Sequence, residues 1–311
     1  MLKSMYLGTS IAISWAWGTS LILGMQIAQQ KGLEAFLTWA TANCLTLVIF
    51  GVLYKKGVLY SLVLDQKIVR IFTNLIQIFC LIIQLKILDE TLQNFFSPLI
   101  SYALTLFFSG GLTIWMYRKG LAASIFTDLF QGIGTLIVLA TMFGYCLINY
   151  EPVATAHSSI SDISWGIWSA CILLSGIMTD IQHWQRAEVN GKGYAFECAG
   201  IFFAIYLTLV FFLSKYQFND LLNFLLLLAV IGVTTSTIDS IAVALHRDFG
   251  RKLGTALGLL ICLGYQILVD LSVLSLWSYF GVIRVGLALY ILYWCYTNKN
   301  AVKSGTSNNP L

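Results

Sequence analysis

The chain has 311 residues, of which 58% are hydrophobic and 10% charged, with only 3 prolines and a mean hydropathy of +0.81. Soluble domains carry roughly 25% charged residues, so a soluble fold is excluded and a multi-pass membrane protein is expected. The formal charge of +4 then reports where cations sit relative to a bilayer rather than affinity for nucleic acid.

A membrane-crossing helix needs about 20 mainly apolar residues. Ten such segments follow one another, at 6–28, 33–54, 67–88, 97–117, 124–148, 163–183, 193–213, 222–245, 255–275 and 276–296. The first follows Lys3 directly but is too long for a signal-peptide core, and no A-x-A cleavage site follows it, so it is read as a retained helix. Of the 18 lysines and arginines, Lys31, Lys86 and Lys215 fall in alternate loops and Arg284 within the last segment; the others crowd the opposite loops and the termini. Cations accumulate on the cytoplasmic side, which places both termini there, in a cell (plasma or inner) membrane.

The first segment contains ISWAWGTSLILG (13–24), and the sixth, ISWGIWSACILLSG (163–176), shares its tryptophans, glycines and hydroxyls. The polar connection at 149–162 separates five segments from five. Five is odd, so a second set built like the first enters from the opposite face, an inverted repeat. The fold expected is therefore all-α, one transmembrane domain over 1–296 (repeats 6–148 and 163–296) and a disordered polar tail at 297–311. Paired Gly-interrupted spans point to a midplane binding site. Gly18, Gly24, Gly166 and Gly176 are the candidates for unwinding, although small residues also serve close helix packing. Trp15, Trp17, Trp165 and Trp168 flank these positions, and with Gly18, Ser175 and Gly176 they form the candidate solute site; packing against core or lipid is the plainer use of such aromatics.

In the fifth segment, FTDLFQG places Asp128 and Gln131 one turn apart. They are candidates for an ion path, while an Asp in a first helical turn is also favourable at the positive dipole end. The segment DIQHWQRAEVNGKG (180–193) is expected at the cytoplasmic surface, with Trp184 and Arg186 as interfacial anchors. Asp270 is expected near the opposite interface. Seven cysteines lie singly, without CxxC, and read as packing residues.

The eighth segment carries TTSTIDS (234–240), five hydroxyls and a carboxylate in an apolar run. An ionised Asp at the bilayer centre costs roughly 2.5 to 3.5 kcal/mol, so Asp239 needs a cation, water or another partner. Ser236, Asp239 and Ser240 share a helical face, and hard cations prefer oxygen ligands. The alternative is that the hydroxyls bond their own i−4 carbonyls. No Walker loop, HExxH or GxGxxG is present, and no nucleophile with a nearby base, so an enzyme is not expected.

Four stretches carry a resemblance: GMQIAQQKGLEAFLTWATAN (24–43), FTDLFQG (126–132), DIQHWQRA (180–187) and TSTIDS (235–240). Together they resemble the sodium/solute symporter family, which has the LeuT fold, in a shortened ten-helix form. The resemblance implies a sodium ion held by the side chains of Ser236 and Thr237 and by carbonyls near Ile13 and Ala16, and an ion-path role for Asp128. It implies sodium-coupled symport of a small polar solute. Proton coupling through Asp239 or Asp128, and a sensor or scaffold that binds without moving solute, are the rival expectations; no partner protein is implied.

Overall fold

The computed structural model describes residues 2–152, 157–268 and 273–299. Asp270 and residues 300–311 of the expected tail lie outside them. Among the described residues the chain is helical, without strands. The helices are α1 (Leu2–Trp15), α2 (Gly18–Gln30), α3 (Gly32–Lys55), α4 (Lys67–Gln93), α5 (Pro98–Lys119), α6 (Leu121–Asn149), α7 (Ile160–Thr179), α8 (Ile181–Asn190), α9 (Ala195–Leu213), α10 (Asp220–Gly264) and α11 (Val273–Thr297). Eight of these are long and apolar enough to cross a membrane, or nine if the pair α1–α2, bent by 66°, counts as one span.

The predicted segments map onto these helices in order, with one merger. The eighth, and the part of the ninth up to Gly264, fall on α10, which turns sharply at Gly250, where φ is 72°, and α11 already begins at Val273, within the ninth. Only glycine adopts that backbone without steric cost. The segment predicted at 163–183 ends earlier, because α7 stops at Thr179 and the chain restarts as α8 after Asp180.

α1 packs against α6, α9 and α10, while α10 also packs on α4 and α5, so α1 and the middle of α10 are enclosed by other helices. That enclosure explains why every residue from Val233 to Leu245 except Thr235 is essentially inaccessible, and Thr235 only slightly exposed. Large apolar side chains such as Leu99, Phe107, Ile148 and Ile201 instead face outward, as expected of surfaces that meet lipid.

Of the four glycines expected to unwind, only Gly18 lies at a break, as the first residue of α2. Gly24, Gly166 and Gly176 are helical and serve close packing instead. A Cβ on Gly24 would meet Val210 at 3.0 Å, and one on Gly166 would meet the Ala35 carbonyl oxygen at 3.3 Å. Gly18 is the tightest of the four, since a Cβ there would lie 2.7 Å from Thr234 Cγ2 and 2.9 Å from Ile87 Cγ2. Gly18→Ala is accordingly expected to lose about 1–3 kcal/mol by overpacking. Gly24→Ala is expected to lose less, a ranking that apparent melting temperatures in detergent will check.

Candidate functional site

The first Trp-rich segment breaks within itself, and the helix that carries the second ends four residues after it, at Asp180. In the first, α1 ends at Trp15, and Trp17 is extended (φ −49°, ψ 156°). The Gln84 Oε1 of α4 accepts the Gly18 N–H at 3.0 Å, satisfying an amide that the start of a helix leaves open. After the second, Asp180 is extended at the N-cap of α8 but makes no side-chain cap bond, although Asp is a favoured capping residue. Its carboxylate turns to Arg284 of α11 instead, accepting from Nη2 at 3.1 Å, and from Gln77 Nε2 at 3.2 Å.

The two breaks meet. The Trp15 and His183 rings are 5.3 Å apart edge to face, and the Arg284 guanidinium lies 4.9 Å from the Trp17 ring centroid. Gly176 sits between them, for a Cβ there would be 2.9 Å from Trp15 and 3.1 Å from Arg284 Nη1. Trp15, Trp17, Thr19, Ser20, Asn43 and Arg284 line a cavity of about 20 Å³, room for a single water molecule. Thr19 and Leu23 also line a larger vestibule of about 240 Å³ that continues past Gln26, Glu90 and Asn94.

The expected solute site is thus assembled only in part. Trp15, Trp17, Gly18 and Gly176 come to this junction. Trp165 and Trp168 do not line the cavity: Lys31 Nζ lies over the Trp165 ring at 5.1 Å, and Trp168 is 40% exposed. Ser175 is buried in α7 and donates to the Ile172 carbonyl at 2.7 Å.

A second polar centre joins α1, α6, α8 and α10. Arg186 is completely buried, and its Nη2 donates to Asp128 Oδ2 at 2.6 Å, to Ser240 Oγ at 2.8 Å and to Ser124 Oγ at 3.2 Å. Its Nε donates to Ser10 Oγ at 3.0 Å, and its Nη1 to the Gln182 carbonyl at 3.2 Å. Ser10 and Ser236 each donate to Asp128. Asp239 accepts from Ser124 at 2.7 Å and from Thr127 at 2.8 Å. Two buried carboxylates therefore flank one guanidinium, with Ser124 and Ser240 bridging between them.

This geometry corrects the expected surface role of the segment after the sixth span. Asp180, His183, Trp184 and Arg186 are buried, and Trp184 donates its indole N–H to the Met178 carbonyl at 2.9 Å rather than anchoring at an interface. Asp128 lies in the second turn of α6 and is held by Arg186, so a helix-end dipole is not its main partner. Gln131 donates to Thr235 Oγ1 at 3.1 Å.

The four residues nominated for sodium have other engagements. Ser236 is bound to Asp128, while Thr237 donates to its own i−4 carbonyl, Val233, at 3.0 Å. Ile13 accepts from the Ala16 N–H at 3.1 Å, and both residues line an apolar cleft with Gly132, Phe203 and Tyr206. Thr234 and Thr235 bond their i−4 carbonyls as well. Three of the five TTSTIDS hydroxyls thus follow the local pattern, and Ser236 and Ser240 join the Arg186 centre. Among the described residues, no three His, Cys, Asp or Glu side chains are grouped to hold a metal.

The residues that sequence reading missed are Arg186, Asp180 and Arg284. One signal was available for Arg284, an arginine inside a predicted span, which marks a buried functional position by default.

No family model, curated protein or solved structure matches the chain. The likeness to sodium/solute symporters rests on the four motifs alone.

Proposed function

We propose that the protein is a secondary transporter of a small polar solute, working by alternating access on a ten-span, five-plus-five plan. One observation carries this reading: α1 gives way to α2 at Ala16–Trp17, α7 gives way to α8 at Asp180, and the two breaks meet through Trp15 and His183 beside a cavity that Trp15, Trp17 and Arg284 line. Irregular backbone at membrane depth is tolerated where it lines a cavity or is buried in protein, and paired broken helices are how transporters build a midplane site. The vestibule beside Thr19 and Leu23 gives one side an approach, and the Arg186–Asp128 centre ties α1, α6, α8 and α10 together on the other. Opening of that second side requires the centre to come apart.

For coupling, the proton reading is favoured over sodium. The case for sodium joined the resemblance to symporters with the need of Asp239 and its neighbouring hydroxyls for a partner, and Arg186 places a cation among those hydroxyls. What is left over is a single carboxylate's charge, which a proton neutralises without needing ligand space. Sodium at Ser236, Thr237, Ile13 and Ala16 would first have to release Ser236 from Asp128.

The separating experiment uses the purified chain in detergent, titrated with sodium at constant ionic strength with potassium as replacement, followed by uptake into vesicles under an imposed pH gradient. Ligands of the folded state raise its apparent stability by mass action. No sodium-specific shift together with sodium-free, pH-driven uptake is expected. A saturable sodium shift lost in Ser236→Ala/Thr237→Ala returns sodium to the first place.

A further inference from the structure

We infer that the solute carries a carboxylate, bound in the cavity beside the α1–α2 break by Arg284 and the indole N–H groups of Trp15 and Trp17. This rests on the transporter reading only for the word solute; the binding chemistry stands on the cavity itself.

Among the described residues, Arg284 is the one charged residue lining the cavity, and the groups around it are mainly donors. Trp15 and Trp17 are 4% and 5% exposed, and neither indole nitrogen has an acceptor. A buried N–H without a partner is costly, and most buried side-chain polar atoms have one. Two such donors on residues that line one cavity with a guanidinium mark it as a place where an acceptor belongs. The hydroxyls of Thr19 and Ser20 also line the cavity and donate to no group among the described residues. The first turn of α2 adds the partial positive charge of a helix start.

The guanidinium is only partly engaged by Asp180. The contacts to Asp180 and to Cys80 Sγ, at 3.1 and 2.9 Å, both use Nη2, while Nη1 lies on the Gly176 side, near Trp15. A planar carboxylate suits a guanidinium edge, with charge-assisted bonds about twice as strong as neutral ones. A single lining cation calls for a monoanion rather than a phosphate. The other walls, Leu23, Trp39 and Leu173, suit a short apolar body. At about 20 Å³ the cavity is contracted, so binding requires the α2 side to move outward toward the vestibule.

The test uses the full chain in detergent and three probes of one shape: propionate, propionamide and propylammonium, read by thermal stability and tryptophan fluorescence. Acetate and butyrate bracket the size. A saturable shift with at least one carboxylate is expected, at a concentration about tenfold lower than its amide requires, with none from propylammonium. Because Arg284→Gln alone strands Asp180, the double variant Arg284→Gln/Asp180→Asn is the folding-safe comparison, and there the carboxylate preference should vanish. Trp17→Phe should weaken it while Arg284 remains. Equal binding of amide and carboxylate, a preference that survives in the double variant, or no shift with any of the three carboxylates overturns the inference. Uptake into vesicles separates the two proposals. Arg284-dependent carboxylate binding without flux leaves this site standing and overturns transport; flux of the amide without carboxylate preference does the reverse.

Discussion

Arg186→Gln is expected to be the most damaging single substitution in the chain. It removes the only cation bonded to a buried carboxylate in the α1–α6–α8–α10 centre, leaving Asp128 and Asp239 with hydroxyl donors alone. Breaking a buried ion pair by deleting one partner costs about 3–5 kcal/mol, and water is not available in the membrane interior to offset it. The apparent melting temperature in detergent should fall sharply, and uptake should be lost with it. The control is Asp128→Asn in the same background. If the loss comes from a stranded charge, the double variant recovers a large part of the stability, because neutralising both partners of a buried pair is far milder than removing one. No recovery would mean that Arg186 acts through packing of its stem rather than its charge.

Asp239→Asn should do the opposite to stability and something more specific to function. Asparagine keeps an oxygen to accept from Ser124 or Thr127, the donors that hold Asp239 at 2.7 and 2.8 Å, while removing the carboxylate for which Arg186 makes no direct bond. Stability should stay level or rise by about 1 kcal/mol, on the same reasoning that makes uncharged replacements of buried ions neutral or favourable. If Asp239 takes up the coupling proton, the variant still exchanges solute across vesicles but no longer concentrates it when a pH gradient is imposed. Retained concentrative uptake would move the coupling role to Asp128 or to an ion elsewhere. Measured together, the Arg186 and Asp239 variants separate what the centre does for folding from what it does for coupling.

Much of this architecture was legible in the linear chain. Apolar runs of spanning length pointed to an all-helical chain whatever the packing, because a helix satisfies its own backbone groups where lipid cannot, and the described residues form eight or nine helices of that length and character. The ISWAWG stretch pointed to the break between α1 and α2, whereas ISWGIW lies within the continuous α7, and TTSTIDS pointed to a buried polar centre that needs a partner for its carboxylate. The details within those stretches were not legible. The glycines looked like points of unwinding, yet three of them are packing contacts, and the breaks fall at Ala16–Trp17 and Asp180. Gln84, 66 residues away from Gly18, satisfies the amide that one break exposes, and Arg284 draws the Asp180 carboxylate away from its cap at the other.

The identity of the cation shows the division most clearly. That Asp239 and its hydroxyl neighbours need a cation, water or another partner follows from composition and helical spacing alone, since a carboxylate's desolvation is a local cost. Which partner answers the need is not local. Arg186 lies 58 residues from Asp128 and 54 from Ser240, on a short helix whose sequence reads equally well as an interfacial anchor. Only the fold, by turning α8 inward after Asp180, carries its guanidinium between α6 and α10, where distance and burial rather than sequence decide the pairing.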